Sequence, residues 1–285
     1  MQLTSDTFND LRKAIHGLCG LVIAEDKRYL IVSRLEPILR RNALRSYESL
    51  VQGLKESNSL HLQEQIVEAI TTRETSFNRD GHPFEELRRS ILPELTSRLL
   101  ERRAGTRLFG QTARIWCTAV ATGQEAYSVA MAVSDFLSSR PGLGLTLDDF
   151  PILASDISRG ALATAREGRY SALDISRGIP DELRERYFRQ DEFGWVVIPS
   201  LRRAIDFRRL NLIRPLPNLG SFDLILCRNL LIYLDLETRR RLCRGLHQAL
   251  NPGGLLMIGA AESVYGVTDD FSTERLGNTT IHRKP

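Results

Sequence analysis

The chain has 285 residues, of which 42% are hydrophobic, and this length and apolar content suffice for folded domains and exclude a largely disordered chain. A net charge of +4 is mild and by itself permits either a nucleic acid or an acidic protein as partner. No apolar run approaches the roughly 20 residues that a membrane-spanning helix needs, and the N-terminus lacks the basic-then-apolar pattern of a secretory signal. We therefore expect a cytoplasmic protein that does not insert into the membrane.

Cysteine and histidine usage gives no support for disulfide or metal chemistry. The cysteines Cys19, Cys117, Cys227 and Cys243 have no close pairing along the chain and are expected to be free thiols. The five histidines are scattered and show no spacing typical of a zinc site. We expect no bound metal.

Helical spacing of apolar residues dominates the first 70 residues. The first helix is indicated by an apolar stripe made of Phe8, Leu11, Ile15 and Leu18. Thr4 or Ser5 is available as its N-cap, and Gly20 is expected to end it. A second helix is predicted to begin near Asp26, with a kink or break at Pro37.

The second helix is strongly basic. Between 27 and 45 the chain has six basic residues and one acidic residue, a local excess larger than that of the whole chain. Arg34, Arg41 and Arg45 are predicted to share a surface of this region. This surface is either a solvated helix face or a docking surface for an acidic partner.

From about residue 113 short apolar runs alternate with amphipathic stretches, which predicts a doubly wound parallel sheet. Strands are expected at 114–120, 151–156, 222–227 and 255–259, helices at 125–137, 159–167 and 236–250, and a turn at 251–254. The interval of about 170–208 fits no simple crossover, because 195–198 and 204–210 have the pattern of short strands. We interpret it as a small inserted β subdomain. The chain thus divides into a helical domain at 1–75, a linker and connecting helix at 76–110, and a sheet domain at 111–285.

Polar residues follow several of the predicted strands, where ligands bind in open α/β sheets. The first strand leads into a tight turn of small residues at 119–125, which is not the GxGxxG fingerprint of dinucleotide sites. Asp156 ends the second strand, where an acid can accept hydrogen bonds from ribose hydroxyls or cap the next helix. The strand at 222–227 leads into Arg228, Asn229 and Tyr233.

Three segments in order resemble the CheR family of chemotaxis receptor methyltransferases: 71–80, 114–128 and 227–233. The resemblance spans nearly the whole chain and includes the basic helix and the closing segment 274–280. It implies an all-α N-terminal domain, then a doubly wound, Rossmann-like sheet that uses S-adenosylmethionine and has a small inserted antiparallel β subdomain. The implied reaction forms glutamate methyl esters on cytoplasmic helices of chemoreceptors and releases S-adenosylhomocysteine.

The resemblance also implies roles for particular residues. The positions expected at the cofactor are Arg73, Thr75, Arg79, Glu125, Asp156, Asn211, Leu212, Asn229 and Leu230. Arg79 and Tyr233 are expected at the substrate as catalytic positions. The acidic helices of chemoreceptors are the expected partner of Arg34, Arg41 and Arg45, and the protein is expected to act as a monomer.

The chain departs from the family pattern at three positions. Arg73 stands where the family usually has Asn, Asn78 where it has Phe, and Gln124 where it has Glu. Neither the change at Asn78 nor the change at Gln124 removes an evident reactive group. If the three departures abolish cofactor use, the protein would instead be a non-catalytic module that binds a receptor or regulator.

A nucleic-acid methyltransferase is the other alternative, since it would suit the basic charge. Enzymes that methylate amino groups of bases commonly have an Asn/Asp-Pro-Pro-aromatic motif after the fourth strand. This chain has the sequence 228–233 there, without a Pro-Pro pair, and we therefore expect no nucleic acid as partner.

Overall fold

The computed structural model of the chain describes residues 2–105 and 110–285. An N-terminal bundle packs around one apolar core and consists of the helices α1 (Ser5–Cys19), α2 (Arg28–Arg41), α3 (Tyr47–Lys55) and α4 (Leu60–Ile70). The predicted linker at 76–110 includes 106–109, which lie outside the described residues. Its described part contains α5 (His82–Glu86), a π-helical turn at Leu87–Ile91, and α6 (Leu92–Ala104).

The capping expected for α1 is confirmed. The Thr4 hydroxyl accepts a hydrogen bond from the Thr7 backbone N–H, and Gly20 ends the helix in the left-handed conformation with φ 77°. The break expected at Pro37 is absent, since α2 runs through this residue. Leu35 and Ile38 on either side are buried in the bundle core, and their packing outweighs the one backbone hydrogen bond that proline removes.

The rest of the chain alternates strands and helices. The strands are β1 (Ile115–Cys117), β2 (Ile152–Asp156), β3 (Arg169–Tyr170), β4 (Phe188–Asp191), β5 (Gly194–Val197), β6 (Ile205–Arg209), β7 (Phe222–Cys227), β8 (Leu250–Ile258), β9 (Ser272–Leu276) and β10 (Thr279–Arg283). The helices are α7 (Gln124–Ser138), α8 (Arg159–Glu167), α9 (Ala172–Ser176), α10 (Asp181–Tyr187), α11 (Pro199–Arg203) and α12 (Leu236–Ala249). The predicted bounds of α8 and β7 agree with the structure.

The described strands form a seven-stranded sheet in the order β6-β2-β1-β7-β8-β10-β9, in which β6 to β8 are parallel and β10 and β9 are antiparallel. Every residue of β1, β2 and β7 is buried, because helices cover both faces of the sheet. The doubly wound fold class predicted from the sequence is confirmed. Among the described residues, no helix is both long and apolar enough to cross a membrane.

A second, antiparallel sheet of three described strands has the order β3-β5-β4 and forms the inserted subdomain. The assignment of 204–208 to this subdomain is wrong, because β6 pairs in parallel with β2 at the edge of the main sheet. The inward-facing Ile205 and Phe207 are buried there, as expected for alternate residues of an edge strand.

The turn expected at 251–254 is also absent, because these residues form a bulge within β8. Leu250 pairs with Phe222, and the pairing resumes at Leu255 with Leu224. Gly253 has a φ of 71° in this bulge. The bulge is held because the Gly253 N–H donates to the carbonyl of Lys284 and the Lys284 N–H donates to the carbonyl of Gly254, each at 2.9 Å.

The helical bundle and the main sheet meet along a seam that is held by backbone and charged groups. Leu21 forms a β-bridge with Leu234, and the Val22 N–H donates to the Tyr233 carbonyl at 2.9 Å. His16 lies 2.5 Å from Asp235 at the start of α12. The seam therefore joins the end of α1 directly to the segment that follows β7.

Gly20 and Gly17 give a matched test of the seam. A Cβ on Gly20 would lie 2.6 Å from a side-chain carbon of Ile213, and φ at Gly20 is already positive. Gly20→Ala is therefore expected to destabilise the protein by about 2 kcal/mol or more, from overpacking and backbone strain. Gly17, inside α1, has nothing within 4 Å of its Cβ position. Gly17→Ala should stabilise by about 0.5–1 kcal/mol. Urea unfolding midpoints measure both, and equal midpoints would contradict the packing at the seam.

Candidate active site

A cavity of about 490 Å³ lies where the carboxyl ends of β1, β2 and β7 meet the seam. This is the position at which open α/β sheets bind ligands, and the volume suits a cofactor-sized molecule. Its walls come from the α1–α2 connection, the linker after α4 and three strand-to-helix connections. The lining residues fall in the segments 21–34, 70–79, 119–125, 156–157 and 228–233.

The turn after β1 has an unusual backbone. Ala119 and Ala121 have φ of 51° and 50°, and Gly123 has φ of 95°. A Cβ on Gly123 would lie 2.8 Å from the Cβ of Ala165, so this position requires glycine for both space and conformation. Small side chains at a strained turn leave the backbone open to close approach by a ligand.

Asp156 holds this turn in place at the end of β2. One carboxylate oxygen accepts the Ala121 N–H and the other accepts the Ser158 N–H, both at 2.8 Å. Burial raises the pKa of Asp156 above its ordinary value, while these backbone donors oppose the shift. Each oxygen retains a lone pair, so the carboxylate is able to accept further hydrogen bonds from the cavity.

Arg228 lies at the centre of the site, although the sequence analysis assigned it no role. Its side chain is fully buried, and it donates to Glu125 at 3.0 Å and to Asp80 at 2.7 Å. It also donates to the backbone carbonyl of Arg79 at 2.9 Å. The only signal in the sequence was a charged residue directly after the buried strand β7.

Glu125 is the partner of Arg228 on the sheet side, at the start of α7. Burial raises the pKa of Glu125 above its ordinary value, and the positive charge of Arg228 opposes this rise. The positive charge of Arg79 also lowers the pKa of Glu125. With Asp80, which is 32% exposed, and Arg79, the group contains two carboxylates and two guanidinium groups, so the charges in this part of the site balance.

Arg73, Thr75 and Arg79, which were predicted at the cofactor, all line the cavity. Arg79 donates to the Glu74 carbonyl at 3.1 Å. Arg73 instead forms an ion pair with Glu68 at 2.6 Å, at the rim of the seam. Of the two guanidinium groups, Arg79 is therefore the one placed beside Glu125.

The segment after β7 brings Asn229, Leu230 and Tyr233 to the cavity. Asn229 has φ of 56°, and its N–H donates to the Glu262 carboxylate at 2.7 Å. The same carboxylate accepts the Gly259 N–H at 2.7 Å, so Glu262 orders the loop. The sequence analysis missed Glu262 because its link to the site, Asn229, is 33 residues away along the chain.

Asn211 and Leu212 do not line this cavity. The Asn211 side chain donates to the Leu18 carbonyl at 2.8 Å and therefore helps to hold the seam, and Leu212 packs against the core beneath α12.

Of the predicted docking residues, Arg34 lines the cavity and donates to the Ala69 carbonyl at 3.0 Å. Arg41 and Arg45 are exposed outside the cavity lining.

Two departures from the family pattern are accommodated in the structure. The Asn78 side chain donates to the Gly178 carbonyl at 2.8 Å, and its backbone has the positive φ that asparagine tolerates. The neighbouring Phe77 is buried and packs edge-on against Tyr170, and neither ring lines the cavity. Gln124 is buried and accepts a hydrogen bond from the Thr122 hydroxyl at 2.8 Å.

All four cysteines are buried and unpaired, as expected. Burial raises the pKa of Cys19 and of Cys243 to about 11, so neither is a reactive thiolate near neutral pH. Among the described residues no group of three or more His, Cys, Asp or Glu side chains has the arrangement of a metal site.

Comparison with known proteins agrees with this geometry. Residues 6–71 match the family model described as the CheR methyltransferase all-alpha domain, and residues 73–279 match the CheR methyltransferase SAM binding domain. "Chemotaxis protein methyltransferase Cher2" of Pseudomonas putida is 36% identical, over 93% of this chain and 92% of that protein. "Chemotaxis protein methyltransferase 1" of Pseudomonas aeruginosa is 35% identical over 99% of both chains. The chain belongs to the CheR methyltransferase family, with a fold that uses S-adenosylmethionine.

Proposed function

We propose that this protein transfers the methyl group of S-adenosylmethionine to glutamate side chains on the cytoplasmic helices of chemoreceptors. The observation that supports this most is one cavity in which the Asp156 carboxylate, the Glu125–Arg228 pair and Tyr233 meet. The relatives' names refer to chemotaxis, and the glutamate substrate and the receptor are our inference from that resemblance.

The residues of the cavity fit this cofactor. Asp156 has acceptor capacity at the end of β2, where ribose hydroxyls bind in related folds. At the other end, Glu125 places a carboxylate in the cavity lining, which attracts a positive ammonium or sulfonium group. The turn at 119–123 offers backbone groups between them.

The bound cofactor would supply a methyl group on a positively charged sulfur, and its transfer forms a C–O bond as the S–C bond breaks. The chain needs no general base, because a glutamate with a pKa of about 4.3 is already an anion at neutral pH. Arg79 would orient the incoming carboxylate from the cavity wall, and Tyr233, which is 39% exposed, would line its approach. Positioning of this kind supplies up to roughly 7–11 kcal/mol of the barrier.

The docking role of Arg34, Arg41 and Arg45 stays a prediction. Arg34 supports it because it lies at the cavity itself. Arg41 lies two turns further along α2, about 10 Å away by the helical rise. The monomeric state and the cytoplasmic location also stay predictions.

A methyl-transfer assay with a receptor cytoplasmic fragment and labelled S-adenosylmethionine tests the proposal. We expect label on the fragment that alkali releases as methanol, because esters hydrolyse in base and N-methyl groups do not. Stable label on RNA or DNA would instead support the nucleic-acid alternative. Binding of S-adenosylhomocysteine by calorimetry without any transfer would support the non-catalytic module.

Asp156→Ala is expected to weaken binding of S-adenosylhomocysteine, because each lost hydrogen bond to a charged group contributes about 1.5–3 kcal/mol. Calorimetry measures the affinity, with Asp148→Ala as the control, since Asp148 is an exposed acid before β2. Protonation of Asp156 removes a hydrogen-bond acceptor, so the wild-type affinity for S-adenosylhomocysteine should fall as the pH is lowered. Because the pKa of Asp156 is raised, this fall should begin at a higher pH than it would with an ordinary aspartate. Unchanged affinity in a folded Asp156→Ala variant would refute the ribose assignment.

Arg79→Ala is expected to lower kcat by about 100-fold while the melting temperature changes little, since the side chain orients substrate and donates only to a local backbone carbonyl among the described residues. Arg177→Ala is the control, because it removes an exposed arginine that pairs with Glu74 on the same linker. Such surface pairs contribute at most about 1 kcal/mol. A large loss of stability in Arg79→Ala would show a structural role instead.

A further inference from the structure

A groove of about 520 Å³ runs along the outer face of α1 and shares the segment Leu21, Val22 and Ile23 with the cofactor cavity. Its other lining residues are Asn9, Arg12, Lys13 and His16, spaced at i, i+3, i+4 and i+7 and therefore on one helix face. Among the described residues that line it, none is acidic. The groove is thus basic and leads directly to the mouth of the cavity.

Exposed apolar side chains cluster at the same place. Of the ten most exposed large apolar residues in the described chain, five lie on the two segments that meet at the seam or on α2 beside it. They are Val22 (50% exposed), Tyr29 (59%), Ile232 (47%), Tyr233 (39%) and Leu236 (47%). Such a concentration beside a cavity is typical of an interaction surface.

The backbone at this surface is already paired. The Val22 N–H donates to the Tyr233 carbonyl, and Leu21 bridges Leu234, so the seam offers no free strand edge for an extended peptide. A partner must therefore bind through side chains, which is the mode of a helix lying in a groove.

We propose, on the basis of the function proposed above, that the methyl-accepting segment binds as an intact acidic helix in the α1 groove, with its apolar face on Val22, Ile232 and Leu236. Acidic side chains on this helix meet Arg12 and Lys13, and the glutamate to be methylated enters the cavity past Tyr233. The α1 groove, and not the distal part of α2 with Arg41 and Arg45, is then the main contact.

Charge reversal tests the groove in the full-length protein. Arg12→Glu/Lys13→Glu should raise the Michaelis constant for a receptor cytoplasmic fragment by about ten-fold or more, because attraction becomes repulsion. Both residues are outside the cavity lining, so kcat and the affinity for S-adenosylhomocysteine should stay within about two-fold. Arg140→Glu/Arg203→Glu carries the same charge change on two exposed arginines that follow α7 and end α11, at the amino edge of the sheet opposite the cavity, and should leave the Michaelis constant within about two-fold.

The apolar part of the surface has its own matched pair. Leu236→Ser should raise the Michaelis constant by about three-fold or more, through lost burial against the partner. Leu60, the first residue of α4, is 71% exposed, and the cavity lies at the other end of that helix. Leu60→Ser should therefore leave the Michaelis constant unchanged.

Two competitor peptides test the helical form. A receptor peptide locked as a helix by an i,i+4 lactam bridge should inhibit transfer more strongly than the same peptide with a central proline. Equal inhibition would overturn the helical mode.

The docking surface would be overturned if the Arg12→Glu/Lys13→Glu variant kept the wild-type Michaelis constant, or if Arg41→Glu/Arg45→Glu raised it more. Wild-type protein that methylates no receptor fragment would contradict the proposed function itself, and this proposal with it.

Discussion

A buried guanidinium organises this molecule. Arg228 has no exposed side-chain surface, and an unpaired charge in that position would be strongly unfavourable. It is stabilised by Glu125 from the start of α7 and Asp80 from the linker, at 3.0 and 2.7 Å, and by the Arg79 carbonyl at 2.9 Å. The linker must therefore return to the carboxyl edge of the sheet. This return carries Arg79 into the cavity wall.

The seam completes the site by bringing the helical bundle to the same edge. Glu68 on α4 accepts hydrogen bonds from Ser158 and Gly160 at the start of α8, at 2.6 and 3.2 Å. The connection after α1 is bridged to the segment after β7. Residues of the sheet and of the bundle thus line one cavity, and under the proposed function this gives the N-terminal domain a direct part in catalysis.

Local signals in the sequence predicted most of the fold. Complete apolar runs and helix caps gave β7 and α8 with their bounds, and the polar ends of β1, β2 and β7 indicated the cavity. The failures concern long-range pairing. The strand at 205–209 has the pattern of any half-buried strand, and only its pairing with β2 shows which sheet it joins. Arg228 lies 103 and 148 residues from its two carboxylate partners, so no local pattern reveals its role.

A double-mutant cycle on Arg228 and Glu125 tests the account most directly. Arg228→Met should abolish measurable S-adenosylhomocysteine binding and lower the free energy of unfolding by about 3–5 kcal/mol, because Glu125 and Asp80 lose their buried cation. In the Arg228→Met/Glu125→Gln double variant the loss of stability should be smaller than the sum of the two single losses, by about 1 kcal/mol or more. Additive losses, or an Arg228→Met variant that binds S-adenosylhomocysteine like the wild type, would contradict the claim that this ion cluster assembles the site.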